Sequence, residues 1–221
     1  MKNKIFYAIV GGLFAAALAF GIFFRFSYTN ITAEENYLDK LDVGELPEEL
    51  CIGACRSMAQ ELPASPIILR VSPTDEIEHH FGRSVQRVTV SQVFAGEELA
   101  VGDEFYLTCV RWSVFVRSDG QAIERGFVNI LREGSDYLVF LLTDSGMENR
   151  GLPLYFLNID QFIAPVFCYE DIANTFVTPA GRTTYVPYTQ VKDNEFFAAS
   201  QAGLDAWSAL KQEMLRKSPA A

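Results

Sequence analysis

Ser84-Val85-Gln86-Arg87-Val88-Thr89-Val90-Ser91-Gln92-Val93-Phe94 is the stretch on which the fold turns. Its residues alternate, with Val85, Arg87, Thr89, Ser91 and Val93 on one face and Gln86, Val88, Val90, Gln92 and Phe94 on the other. Both faces carry apolar groups, so the segment reads as a central or strongly coiled strand rather than an edge. Upstream, Ile67-Ile68-Leu69-Arg70-Val71 is a short β-branched run bounded by Pro66 and Pro73. Downstream, Ala95-Gly96 starts a turn and Val101-Gly102-Asp103 prepares a strand over 104–110 that continues to about 116. Ser118-Asp119-Gly120 is a hairpin-type turn signal. Further strands are expected at 127–131, 137–142 and 155–157. Short strands separated by turn chemistry point to a mainly β domain, a small antiparallel barrel or sandwich.

The end of the chain reads as an amphipathic helix over 191–217. Phe196, Leu204, Trp207, Leu210 and Met214 recur in three- and four-residue steps, with Gln201, Asp205, Lys211 and Glu213 mostly elsewhere. Asp193 or Asn194 is the expected N-cap, and Arg216 with Lys217 suits the negative end of the dipole. Its apolar stripe is expected to pack on the barrel.

The beginning of the chain has a different character. Residues 5–24 carry no charge, follow Lys2 and Lys4, and end at Arg25. As a helix they span about 30 Å, the hydrocarbon thickness of a bilayer. A cleaved signal peptide competes, because Ala17-Leu18-Ala19 has the small-x-small form of a cleavage site. Retention is favoured since the apolar run continues past it, so residues 1–26 are expected as a transmembrane signal-anchor. Lys2 and Lys4 place the amino terminus in the cytoplasm and the body outside, a single-pass protein of the cell membrane with an extracytoplasmic domain. In 27–60, Glu34, Glu35, Asp39, Asp42, Glu45, Glu48 and Glu49 stand against Lys40 and suggest an acidic stalk. The body is then expected over 61–190.

The 221 residues carry a formal net charge of -10, which argues against a nucleic-acid partner. Of the four cysteines, Cys51 and Cys55 have the i, i+4 spacing that shares a helix face, and a disulfide between them is the preferred pairing; Cys109 and Cys168 sit in strand-like stretches with no pairing assigned. The Cys51/Cys55 spacing is one residue longer than the Cys-x-x-Cys of redox enzymes, and a zinc site there would need a second pair of ligands. Asp75-Glu76-Ile77-Glu78-His79-His80 holds both histidines of the chain. Adjacent histidines diverge on helix and strand alike, so the cluster reads as a solvated loop, and no metal or cofactor is expected. There is neither a Gly-x-Ser-x-Gly elbow nor a phosphate-cradling Gly-rich loop, and no residue is assigned a catalytic role. Tyr155, Phe156, Phe167, Tyr169, Tyr185 and Tyr188, with Phe162 and Phe176, have two readings. The preferred one is packing between sheet and closing helix; the other is an exposed docking surface.

The opening strand 67–71, the run 88–96 with its aromatic-small-Gly exit, Val101-Gly102-Asp103-Glu104-Phe105, and Gly134-Ser135-Asp136-Tyr137-Leu138-Val139-Phe140-Leu141 together resemble the netrin-like, OB-type barrel shared with tissue inhibitors of metalloproteinases. The resemblance covers residues 67–142 and implies a fold. Inhibition does not follow, because those inhibitors chelate zinc through an amino-terminal cysteine and here a helix precedes Cys51. The expected function is a non-catalytic binding or assembly module for protein or cell-envelope partners. The alternative is an extracytoplasmic hydrolase or thiol-dependent enzyme whose site is assembled from distant residues.

Overall fold

The computed structural model describes residues 2–27, 34, 36–74, 77–80, 83–109, 113–116, 122–125, 127–158, 162–178 and 185–220; for 2, 3, 5, 8, 26, 27, 83, 109, 113–116 and 122–125 the backbone alone is described. The chain forms two compact units, Met1–Tyr37 and Leu38–Ala221.

The first unit is α1 (Lys2–Ser27), a helix of 26 residues. Its large side chains are exposed all round, from Val10 at 46% to Tyr7 at 70%. Among the described residues, no helix is long and apolar enough to cross a membrane. The side chains of Ile5 and Ala8 lie outside those described, and the helical backbone of α1 is continuous over its 26 residues.

The second unit is mixed α/β with a large, mostly antiparallel sheet. Its first strand and helix are β1 (Asp42–Gly44) and α2 (Glu48–Glu61). The strands that follow are β2 (Ile67–Pro73), β3 (Glu78–His80), β4 (Arg83–Ala95), β5 (Glu104–Cys109), β6 (Ser113–Val116), β7 (Ala122–Arg125), β8 (Tyr137–Leu141), β9 (Glu148–Asn149), β10 (Leu152–Phe156), β11 (Val166–Cys168) and β12 (Tyr185–Pro187). Two helices close the chain, α3 (Tyr188–Val191) and α4 (Gln201–Lys217).

The larger sheet runs β11-β8-β2-β4-β5-β10-β9, with β3 also on β4. The long strand β4 is central, as its two apolar faces require: β2 pairs with its 88–95 half, β3 with 83–85, and β5 with 84–89. The β2/β4 register shifts twice, after Ile68 and after Arg70, which coils the pair. Gly96 ends β4 at φ +96°, and a Cβ there would lie 3.1 Å from the Pro66 carbonyl oxygen, so both backbone angle and closeness call for glycine. The expected closed barrel is not formed. β5 and β10 pair in parallel, and between β8 and β10 the isolated bridge Leu141↔Leu157 stands in place of a ladder.

A smaller sheet, β12-β1-β7-β6, lies outside the expected plan. Of the expected 104–116 strand, β5 lies in the larger sheet while β6 pairs with β7; the expected turn at 118–120 lies outside the described residues. Among the described residues, segment 127–131 forms no strand but makes the isolated bridge Val128↔Phe196 and backbone hydrogen bonds to Glu195 and Phe197. The acidic stalk also needs correction: Leu41, Val43, Leu46, Cys51 and Met58 are buried at 2% exposure or less, so from Leu38 onward that stretch is body. Glu48, Glu49, Arg56 and Glu61 lie on the exposed side of α2, and a narrow apolar face is enough to dock it.

The closing helix is shorter than expected and is capped by Ser200, whose Oγ accepts the Gly203 N–H at 3.1 Å. Phe196 lies outside the helix and stacks on Trp207, ring centroids 4.9 Å apart. Leu204, Trp207, Leu210 and Met214 enter the main core with residues of α2 and the sheet, so the helix is docked.

Candidate functional site

Between α2 and α4 the structure concentrates sulfur and small residues. Cys51, Cys55 and Met58 occupy one face of α2 at i, i+4 and i+7, and all three are buried. The Cys51 thiol donates to the Gly203 carbonyl, Sγ to O 3.2 Å. The expected Cys51–Cys55 disulfide is absent, and both residues are free thiols. An intact helical turn holds i, i+4 Cβ atoms about 5–6 Å apart, whereas a disulfide needs about 3.5–4.5 Å. The two thiols interact instead: the hydrogen bond with Cys55 lowers the pKa of Cys51, while the same bond and burial push Cys55 far up. Cys168 is a third buried free thiol, raised mainly by burial.

A second cluster fixes the segment before α4. Glu195 is 4% exposed and Lys211 8%, and the Lys211 ammonium donates to Glu195 Oε2 and to the Glu170 carbonyl, the latter at 2.7 Å. Glu195 Oε1 accepts the Cys168 N–H at the sheet edge. Three asparagines hold the same segment. Asn129 Nδ2 donates to the Lys192 and Asn194 carbonyls, Asn194 Oδ1 accepts the Thr175 N–H, and Asn174 Oδ1 accepts the N–H groups of Glu195 and Phe196. Every one of these contacts ends on backbone or on another buried group, the pattern of a specified core. Lys211 was expected on the polar side, yet Leu204, Trp207, Lys211 and Met214 follow three- and four-residue steps, so the lysine lies within the apolar stripe. That position was the signal for a buried partner.

Glu45 is also buried, at 2% exposure. Its Oε1 is 3.5 Å from the Val177 N–H, and among the described residues Oε2 has no partner. Burial raises its pKa from 4.5 to about 7, with the Val177 N–H pulling the other way. A folded pKa above the unfolded one means that the native state holds the extra proton between those values. Stability therefore falls as pH rises through that window, by up to about 1.4 kcal/mol per pH unit. Urea midpoints of Glu45→Gln measured across it are expected to depend less on pH than those of the unmodified chain; parallel curves would show that Glu45 ionises as it does in water.

The histidines lie on β3, paired with β4, and not in the expected solvated loop. His79 Nδ1 is 2.6 Å from Ser84 Oγ, and burial, then the neighbouring His80, lower its pKa to about 4. The pair has the form of a base beside a hydroxyl, but Ser84 is 0% exposed, and a nucleophile must reach its substrate. His80 and Arg150 both meet Glu78, at 3.5 and 3.2 Å. Among the described residues no three His, Cys, Asp or Glu side chains converge as a metal site.

The six aromatic positions do not form one surface. Phe167 lies between Phe140 and Trp207, and Tyr155 meets Phe105 edge-on at 5.3 Å. Phe156 packs beside Val85, Tyr106 and Leu154. The Tyr169 ring lies under the Arg70 guanidinium at 4.9 Å while its hydroxyl donates to the Ser218 carbonyl. Tyr185 covers Gly44, and the Tyr188 hydroxyl donates to Asn129 Oδ1. They pack in separate clusters, and of the six Phe167 reaches α4 through Trp207 and Tyr169 reaches its C-cap Ser218. Phe162 and Phe176 remain 42% and 43% exposed. A cavity of about 220 Å³ lies elsewhere, among Pro63, Ile68, Phe94, Phe140, Met214 and Lys217; no histidine or cysteine lines it.

No protein-family model matches this chain, and no curated protein matches it.

Proposed function

We propose that the chain is a single-pass membrane protein whose body is a non-catalytic binding or assembly module of OB type, held outside the cytoplasm. The carrying observation is α1: 26 residues, about 39 Å at 1.5 Å per residue, with large apolar side chains exposed around its whole circumference. A helix apolar on all sides is stable when buried or in lipid. Lys2 and Lys4 before the apolar run support a cytoplasmic amino terminus.

The OB-type reading draws support from strand order. In β2, β4, β5, β8 and β10 the fourth returns to pair with the first and the fifth runs parallel to the third, a partly open Greek-key sheet. The binding reading draws support from a filled interior, in which Leu69, Val71, Val88, Phe105, Leu107 and Val139 are at 0% exposure. An extracytoplasmic hydrolase or thiol-dependent enzyme has the His79–Ser84 contact in its favour and the burial of Ser84 against it.

Carbonate extraction of native membranes is expected to leave the full chain in the pellet and to release a variant lacking residues 1–27. Protease added to intact cells is expected to digest the body. Release of the uncut full chain by carbonate would overturn the anchor, and protection of the body would overturn the orientation. Crosslinking and pull-down from those membranes then identify the partner.

A further inference from the structure

Cys51, Cys55 and Met58 bring three sulfur atoms to one buried face of one helix. The face is closely backed, since a Cβ added at Gly203 would lie 3.5 Å from Cys51 Cβ and 3.1 Å from Ala198 Cβ. Cys51 and Cys55 stand one helical turn apart on that face, with Met58 three residues further on. An intact i, i+4 turn is too wide for an S–S bond of about 2.05 Å. It suits an ion that bridges two thiolates, each metal–sulfur bond being about 2.3 Å, as zinc–thiolate bonds are. Thiolate and thioether donors select soft ions, Cu(I) above all, and a zinc site would require two further ligands that the described residues do not supply.

We propose that Cys51, Cys55 and Met58 form a sulfur-only site for a soft monovalent cation of the Cu(I) class. Binding exchanges protons for the ion without redox change: two thiols and one Cu(I) give a bis-thiolate complex of charge -1 and two released protons, with the Met58 thioether as a neutral third donor. Cys51 is in the first turn of α2, where the helix dipole favours the negative charge. Because Cys51 is 0% and Cys55 5% exposed, the ion enters before α2 and α4 dock or when they part briefly.

The test uses the full chain in detergent, reduced and anaerobic, titrated with Cu(I) against a chromogenic Cu(I) chelator. One equivalent is expected to be held, and the melting temperature to rise with it. Loss of an outer-shell partner costs about 10–100-fold in metal affinity, so Cys51→Ala and Cys55→Ala, each removing a ligand, are expected to weaken binding by more than about 100-fold. The volume-conserving Met58→Leu is expected to weaken it about 10-fold, and Cys168→Ala to leave it unchanged. X-ray absorption of the loaded unmodified protein, which needs no variant to fold, is expected to show sulfur neighbours alone. Nitrogen or oxygen in that shell, Cu(I) affinity retained by the alanine variants, or a Cys51–Cys55 disulfide in protein taken from its native membrane would each overturn the site.

Discussion

Trp207→Ala lowers the stability of the body by about 3–5 kcal/mol, the range for removing a fully buried large aromatic. The indole is 0% exposed, parallel to Phe196 at 4.9 Å and tilted on Phe167 at 5.9 Å, so truncation leaves a hole lined by rings from two separate parts of the chain. At this size of domain the melting temperature falls by roughly 10 °C. Trp207→Phe is expected to cost less, because it keeps a ring in the stack and removes an indole N–H that is buried with no acceptor among the described residues. Thermal melting of the full chain in detergent compares the two. An unchanged curve for the alanine variant would mean that α4 does not hold the core together.

Lys211→Met is the second large effect. It leaves the Glu195 carboxylate buried, still accepting the Cys168 N–H but without its ammonium partner, and breaking a buried pair in this way costs about 3–5 kcal/mol. The loss depends on pH. Burial already lifts Glu195 from 4.5 to about 7, against the opposing pull of Lys211, and removing the ammonium lifts it further. The native state then binds a proton that the unfolded chain has released, so stability falls as pH rises from 4.5 through the folded value. Urea midpoints are expected to show a larger penalty for Lys211→Met at about pH 8 than at about pH 5. Equal penalties would mean that Glu195 stays ionised throughout. Adding Glu195→Leu to the same chain is expected to recover much of the loss, since an apolar pair needs no compensating charge.

The elements legible in the sequence were those with a clear period. β4, β2 and β8 lie within a residue or two of the expected strands, and the stripe through Leu204, Trp207 and Met214 marks α4. α2 was obscured because its buried face is made by Cys51, Cys55 and Met58 while Glu48, Glu49 and Glu61 dominate its composition. Cysteine spacing suggested a bond there, and only the helical geometry shows why the sulfurs remain apart. β1 and β12 have three residues each, too few for alternation to register, and pair across more than 140 positions of sequence. The Glu195–Lys211 contact was hidden for a different reason: a lysine in an apolar stripe reads as an error in the stripe until its carboxylate is known. The aromatic positions gave no such period, because single rings spread along several short strands each meet their own neighbours.

The stacking of Trp207 on Phe196 and Phe167 has a temporal consequence. The last long helix supplies the keystone for strands made far earlier, and β10 must align beside β5 across the intervening β6, β7, β8 and β9. Such distant pairings are slow to close, since chain entropy is spent before contacts are gained. A growing polypeptide therefore has no finished interior until residues 196–214 have emerged, and its half-made sheet must be kept from neighbouring chains until then.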